Sequence, residues 1–593
     1  MSQQIIKDQN IEALKVAASW PGADRATLVT LATVLAATGA DHDGLSYFET
    51  LAASQPDQVL PLALAGYFQV RAGEDIPAGV ARLDDAASRD LGPAQYYRGL
   101  ALAPLPAEAG HAGQAVADLE FILAVRDQFP SNMIRAVYHG LAAAYAATGQ
   151  HDRAAKAAAD SGLSSAPAEA RLQFAGGWAN AADGYHFGYP RIVEAAPGVR
   201  VAQGYDFADF AFVSTDSGVV AIDAGTAEHR VRAALADGGL HPDDVGHVIL
   251  THAHFDHAGG IGALASEGTQ LIAQAGFPSE LQRQHANVFP FRYFTGSGTG
   301  FGSTDAAASP VEIVAGRLIS EPTPVSIGGT DFVLYPTTGG ETSDALMVYL
   351  PGSGVLFTGD VMMPYLGAPF FAEGSPDGML DTLALIAEIS PRMLVHGHTT
   401  LTELFTVDAV PGLRAALTEL RDRSLAGIGR GLTLTRLLKA SVLPEVLREH
   451  PAAVGPYLII RDHFVQRLYQ QHSGYWRPDG QGLEPVDAAD RAAALDLLAG
   501  GRPELFASAA RTLLAQRDGA LALEIITAGL TTHPESSELA ELRQRALYRL
   551  MERHQLQDPF RFLIYAEMAG VEIGPVAALQ QPALDNSAGL KGS

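Results

Sequence analysis

The chain predicts a mixed α/β domain of sheets flanked by helices, set between two all-helical regions. Three observations carry that expectation. Residues 1–172 are rich in Ala and Leu, with apolar residues at helical spacing and few β-branched runs. Residues 173–405 alternate short β-rich runs with Gly-rich turns and helical stretches, the order expected of sheets covered by helices. From 406 to 578 amphipathic helical spacing returns, with Gly or Pro stops, and the tail 579–593 is expected to be disordered. At 593 residues the chain exceeds a single hydrophobic core, so two to four domains are expected.

In the first region, "LATVLAATGADHDGLSYFETLAASQP" and "HGLAAAYAATGQHDRAAKAAADSGL" share one pattern: an Ala-rich helix, a turn of small residues, then a second helix. The turn glycines Gly39, Gly73, Gly110 and Gly149 lie 34, 37 and 39 residues apart, close to the tetratricopeptide period. Such pairs cannot bury their apolar faces alone and stack on their neighbours. An irregular helical bundle is the alternative, and either reading makes this a packing or protein-partner surface. In the middle region "FAFVSTDSGVVAIDAG" reads as a hairpin around "TDSG", "GHVIL" as a buried strand, "IGALAS" as a helix and "TQLIAQ" as another strand. "TDFVLYPT", "ALMVYLPGSGVLFTGD" and "RMLVHGH" supply further strands, the middle stretch as a pair turning at "PGSG".

Composition excludes several classes of function. Asp and Glu number 66 against 40 Lys and Arg, a net charge of −26. So acidic a chain repels nucleic-acid phosphates, whose binding needs a positive field. Cysteine is absent, so any metal must be held by His, Asp and Glu. The opening "MSQQIIKDQNIEALKV" lacks the features of a signal peptide, and no run of 18 apolar residues suggests a membrane span. A cytoplasmic protein that contacts neither membrane nor nucleic acid is expected.

The stretch "THAHFDHAGG" places His252, His254, Asp256 and His257 within six positions, after an apolar strand and before a glycine turn. Two histidines two apart on a continuing strand share a face and can chelate one divalent ion; Asp256 and His257 in the following turn can hold a second. A lone histidine is usually structural, but four potential ligands so grouped are not explained that way. Further ligands belong at later strand ends, and Glu341 in "GGETSDAL", Asp360 in "VLFTGD" and His398 in "VHGH" stand there.

With its downstream "TGD" and "HGH", "THAHFDHAGG" resembles the metallo-β-lactamase fold hydrolases. That resemblance implies an αββα sandwich with a dinuclear, usually zinc, site over roughly residues 180–405. Glu341 stands where most of the superfamily has histidine, 19 residues before Asp360, and this is similar to the alkylsulfatase branch. "GYDFADFAFV" looks like that branch's first strand, and two stretches between Phe464 and Leu550 resemble its helical dimerisation domain. The chain departs from the branch in carrying Asp360 where the bridging acid is typically glutamate, and Asp209 where asparagine is usual. Only part of the sulfate-contacting segment survives, in "QHANVFPFRYFTGSG".

The resemblance implies His252, His254 and Glu341 on one Zn2+, and Asp256, His257 and His398 on the other, with Asp360 bridging. Ions about 3.5–4 Å apart lower the pKa of a shared water toward ~7, so that a metal-activated hydroxide attacks a small anionic ester. Asp256 and His396 are the candidate catalytic residues, His396 as proton donor or as a partner behind the ligands. His285, Asn287, Arg292 and Tyr293 are candidate anion contacts, Arg offering a planar fork to sulfate oxygens. The leading reading is a zinc-dependent, homodimeric alkylsulfatase-like hydrolase. Another ester class (lactone, thioester or phosphodiester) and a non-catalytic scaffold are the alternatives.

Overall fold

The computed structural model describes residues 4–161, 178–286, 316–364, 374–475 and 480–570, short interior stretches of these ranges excepted. After a two-stranded hairpin, β1 (Trp178–Ala181) and β2 (Gly184–Phe187), the middle region forms two sheets. The first runs in sequence order: β3 (Arg191–Ala196), β4 (Val199–Gln203), β5 (Phe210–Thr215), β6 (Gly218–Ile222), β7 (Val245–Ile249), β8 (Gln270–Gln274) and β9 (Arg317–Ile319). The second holds β10 (Thr323–Ile327), β11 (Thr330–Pro336), β12 (Leu346–Leu350), β13 (Val355–Gly359) and β14 (Met393–His396). Each sheet begins as an antiparallel meander and turns parallel, at β6–β7 in the first and β13–β14 in the second.

Strand alternation explains the layering. Val220 and Ile222 of β6, Ile249 of β7, Leu346 and Val348 of β12, Val355 and Phe357 of β13 and Val395 of β14 interdigitate between the sheets. Their neighbours face outward. Val219, Ala221 and Val248 meet Val231 and Leu235 of the helix Glu228–Asp237. Met347, Leu356 and Leu394 join the core that holds Met379, Leu383 and Ile386 of the helix Pro376–Ile389. The result is four layers, helix–sheet–sheet–helix, as the resemblance implies.

The expected strands at 210–222, 245–249, 270–274, 330–336, 346–359 and 393–396 are present. Two local expectations are corrected. "IGALAS" is only a 3-10 turn, Ile261–Ala263, because the chain must return to β8 within a few residues. The strand of "GHVIL" ends at Ile249, so His252 and His254 lie beyond it in irregular backbone.

Among the described residues nine α-helices lie between Gln4 and Ser161 and pack on their sequence neighbours. Gly39, Gly73, Gly110 and Gly149 all adopt left-handed φ, between 65° and 77°, the conformation that ends a helix and starts a turn. A boundary drawn at 405 proves not to separate cores. Leu413, Leu417 and Leu420 of Ala409–Gly429 and Tyr457, Phe464 and Leu468 of Val454–His472 share one core with Leu31 and Leu35 of the N-terminal helices. The Arg448 guanidinium lies 5.5 Å from the Trp20 ring across that junction. The helices from Pro503 to His554 instead have a core of their own, around Phe506, Leu514, Ile526 and Leu542. No helix among the described residues is long and apolar enough to cross a membrane.

Candidate metal centre

The ligand candidates lie just past strand ends, where both sheets open at one edge. Beyond β7, Thr251 is pinned to the second sheet, its carbonyl accepting from Leu346 N at 2.7 Å. His254 then caps the short helix Phe255–Ala258, which carries Asp256 and His257. The turn must be glycine: a Cβ on Gly260 would lie 2.2 Å from the Ala224 carbonyl oxygen. Glu341 comes from the loop between β11 and β12, Asp360 follows β13, and His398 follows β14. Gly397 is required as well, since a Cβ there would lie 2.3 Å from Asp360 Oδ1.

These side chains assemble into two sets. His252, His254 and Glu341 form one, with Glu341 Oε2 3.7 Å from His252 Nε2 and 3.5 Å from His254 Nδ1. Asp256, His257, Asp360 and His398 form the other. Asp360 Oδ2 lies 3.3 Å from His257 Nε2 and 3.0 Å from His398 Nε2. Asp256 Oδ2 is 3.6 Å and 3.7 Å from the same two nitrogens. The sets abut, the His252 and His257 rings being 4.1 Å apart between centroids.

Hydrogen bonds at the back of the imidazoles decide which nitrogen each presents. His257 Nδ1 donates to Asp223 Oδ2 at 2.9 Å, and His398 Nδ1 donates to the Phe207 carbonyl at 2.9 Å. Thr251 Oγ1 donates to Asp223 Oδ2 at 2.8 Å and so accepts from His252 Nδ1 at 3.0 Å. All three rings therefore turn Nε2 into the site. The buried atoms His252 Nε2, His257 Nε2, Glu341 Oε2 and Asp360 Oδ1 have no hydrogen-bond partner there. Leaving such atoms unmatched costs about 1–3 kcal/mol each. Divalent ions would satisfy them, and nitrogen and carboxylate donors in this number suit zinc.

Charge supports the same fit. Burial alone would raise Asp360, but His398 and His257 hold it well below the usual carboxylate range. Burial opposes charge on His398, yet Asp360 lifts it to about 9, and Asp360, Asp256 and Asp223 likewise raise His257. Burial lifts Glu341 to about 7. Without metal the cluster thus holds protons on its ligand atoms, and an arriving cation displaces them.

His396 corrects an expectation. Its Nδ1 meets Thr358 Oγ1 at 2.8 Å and its Nε2 donates to the Phe405 carbonyl at 3.0 Å. Burial holds it near 4, and because β14 ends at His396 the alternation that would set both histidines on one face stops before His398, which turns the other way. His396 therefore offers no proton to a substrate. His396→Gln is expected to cost about 1–3 kcal/mol of stability by denaturant unfolding, while metal content stays unchanged. Loss of metal with stability intact would return His396 to the site. His285 lies in the helix Phe277–Ala286, its side chain outside the described part, and Asn287, Arg292 and Tyr293 lie outside the described residues. Asp209 is buried behind His398, bonded through Thr399 Oγ1 at 2.8 Å, and burial lifts it to about 7.

Sequence reasoning missed Asp223, Thr251 and the Phe207 carbonyl. Asp223 carried a usable signal: like Asp360, it is a carboxylate that directly follows an apolar strand, in "VVAIDAG".

Comparison with known proteins agrees with this geometry. Residues 206–398 match the metallo-beta-lactamase superfamily and residues 433–565 the alkyl sulfatase dimerisation family. A linear primary-alkylsulfatase from Pseudomonas sp. is 23% identical over 369 residues, 57% of this chain and 69% of that protein. A hydroxyacylglutathione hydrolase from Rhodobacter capsulatus is 29% identical over 220 residues, 36% of this chain and 68% of that protein. The stereoselective inverting sec-alkylsulfatase Pisa1 from Pseudomonas sp. superposes with a TM-score of 0.55 at 18% identity, covering 65% of this chain and 66% of that one. The chain spans about half of two further relatives, a secondary-alkylsulfatase from Pseudomonas sp. and an alkyl/aryl-sulfatase from Saccharomyces cerevisiae. With an αββα sandwich and ligand side chains at one edge of both sheets, residues 206–398 form a metallo-beta-lactamase domain, and residues 433–565 an alkyl sulfatase dimerisation domain.

Proposed function

We propose that the protein is a homodimeric, zinc-dependent hydrolase of alkyl sulfate esters. The observation that carries this reading is the pairing of the two families within one chain. Glu341 facing His252 and His254 agrees with it. In the proposal His252, His254 and Glu341 hold one zinc ion, and Asp256, His257 and His398 hold the other, with Asp360 between them. When bound, the two ions supply neutralising charge for the ester's anionic oxygens and acidify a water.

The chain's own residues do the rest. Asp223, Thr251 and the Phe207 carbonyl fix the imidazoles so that no reorientation accompanies reaction. Burial of the ligands excludes bulk water and strengthens their field. Asp256 would take up a proton released at the site on the carboxylate oxygen that does not hold zinc. His285, Asn287, Arg292 and Tyr293 remain the proposed sulfate contacts, on the strength of their residue types alone. The N-terminal hairpins, read as tetratricopeptide-like from their glycine spacing, are proposed to offer a surface to a protein partner.

The test is sulfate release from short, long and branched alkyl sulfates by zinc-loaded protein, beside Asp256→Ala and chelator-treated protein. Release that falls by about 10³-fold in both is the expected result. The relative named as a hydroxyacylglutathione hydrolase favours a second reading, an acyl ester or thioester substrate. Two zinc ions per chain without sulfate release would select it. Protein that binds no zinc would remove both.

A further inference from the structure

We infer that Asp206 is a positioning residue: it locks together the two loops that orient His257 and His398, and so sets metal affinity at the position those histidines share. The inference rests on the two-metal proposal above.

Asp206 lies in the turn between β4 and β5, its side chain wholly buried, and accepts four hydrogen bonds. Oδ1 takes the Phe207 N–H at 2.7 Å and Arg230 Nη1 at 2.8 Å. Oδ2 takes the Thr226 N–H at 2.8 Å and the Ala227 N–H at 3.1 Å. One carboxylate thus bridges the turn at 205–208, the loop at 223–227 and the helix Glu228–Asp237. The contact is close enough to demand glycine at 225, where φ is +56° and a Cβ would lie 2.8 Å from Asp206 Oδ2.

Each bonded segment leads directly to one ligand. The Phe207 N–H held by Asp206 belongs to the residue whose carbonyl fixes His398 Nδ1, and the Phe207 ring meets His398 edge-on at 5.0 Å. The Thr226 and Ala227 N–H groups anchor the loop that starts at Asp223, whose carboxylate fixes His257 Nδ1. The same loop's Ala224 N–H donates to the His257 carbonyl at 2.7 Å, and its Gly225 carbonyl accepts from Gly260 N at 3.1 Å. Of the other set, only His252 is reached, at one further remove through Thr251.

The effect of Asp206 is geometric. With Arg230 it forms a neutral buried pair, so it adds little net field at the ions. Its bonds are charge-assisted and hold three backbone N–H groups, those of Phe207 and Thr226 in buried bonds. Asn in its place keeps the shape but turns an amide N–H2 against two N–H donors and leaves the Arg230 charge unpaired by Asp206. The two loops then part, and His257 and His398 lose their common orientation.

The experiment titrates metal-free wild type, Asp206→Asn, Arg230→Lys and Val231→Ala with Zn2+ calorimetrically, and with Co2+ by its visible spectrum. Val231 is buried in the same helix but makes none of these bonds, so Val231→Ala controls for general destabilisation. Wild type and Val231→Ala are expected to bind two ions with affinities within threefold of each other. Asp206→Asn is expected to bind one ion normally and the other about 10–100-fold more weakly, with a changed Co2+ spectrum. Arg230→Lys, which keeps the charge without the fork, is expected to lie between and carries the test if Asp206→Asn does not fold. Both ions bound as in wild type, or both weakened equally, would overturn the inference. Wild type that binds fewer than two ions would instead sink the two-metal proposal itself.

Discussion

Asp360→Asn is expected to leave the protein with less than one zinc ion per chain and sulfate release at least about 10³-fold below wild type. Asp360 Oδ2 is shared between His257 Nε2 at 3.3 Å and His398 Nε2 at 3.0 Å, and Oδ1 is buried without a hydrogen-bond partner. No other carboxylate approaches both imidazoles so closely among the described residues. Asn has the same size, so the strand end and the glycine at 397 still fit, and the fold is retained. What is lost is the negative charge that a pair of dications requires. Elemental analysis for zinc, ion chromatography for sulfate and a far-UV spectrum for folding check the three parts separately. A variant that keeps two ions and activity within tenfold would remove Asp360 from the centre.

Leu497→Glu together with Leu498→Glu is expected to convert a dimer into monomers. The helix Ala488–Ala499 lies within residues 433–565, which match the dimerisation family, and at its C-terminal end these two leucines are 83% and 84% exposed. Leu505 and Leu521 on the next two helices are also exposed. Large apolar side chains left in water at such density mark a surface that something covers. Burying a leucine is worth about 1.5–3 kcal/mol. Two per copy are four per dimer, so losing them removes about 6–12 kcal/mol, more than ten-thousandfold in the dissociation constant. Light scattering at micromolar concentration reads the result. A variant that remains dimeric would place the interface elsewhere, and a monomeric wild type would end the dimer proposal.

Much of the fold was legible because its information is local. "VLFTG" and "LMVYL" are short apolar runs bounded by turns and so read as buried strands, although with both faces apolar they do not tell which residues face the other sheet. The helices described up to Ser161 show helical apolar spacing and the turn glycines in the chain itself. What failed was also local in origin. "IGALAS" has helical composition, but the distance to β8 leaves room for one turn. The division at 405 followed a change of texture, whereas cores are defined by contacts between helices hundreds of residues apart, as between Arg25–Ala37 and Val454–His472.

For the site, the sequence by itself determined the cast. With no cysteine, a metal must be held by imidazole and carboxylate, and four such groups in six residues followed by three more past apolar strands leave few other meanings. The tertiary structure alone decided their roles. His396 and His398 are the same residue type two positions apart, yet one is bonded to Thr358 and Phe405 and the other turns Nε2 to Asp360. Which nitrogen an imidazole presents depends on what bonds its other nitrogen, and for His398 that partner is the carbonyl of Phe207, 191 residues earlier. A sequence records which side chains are available over a few residues. It does not record which distant backbone group will stand behind each of them once two sheets have closed over a common core.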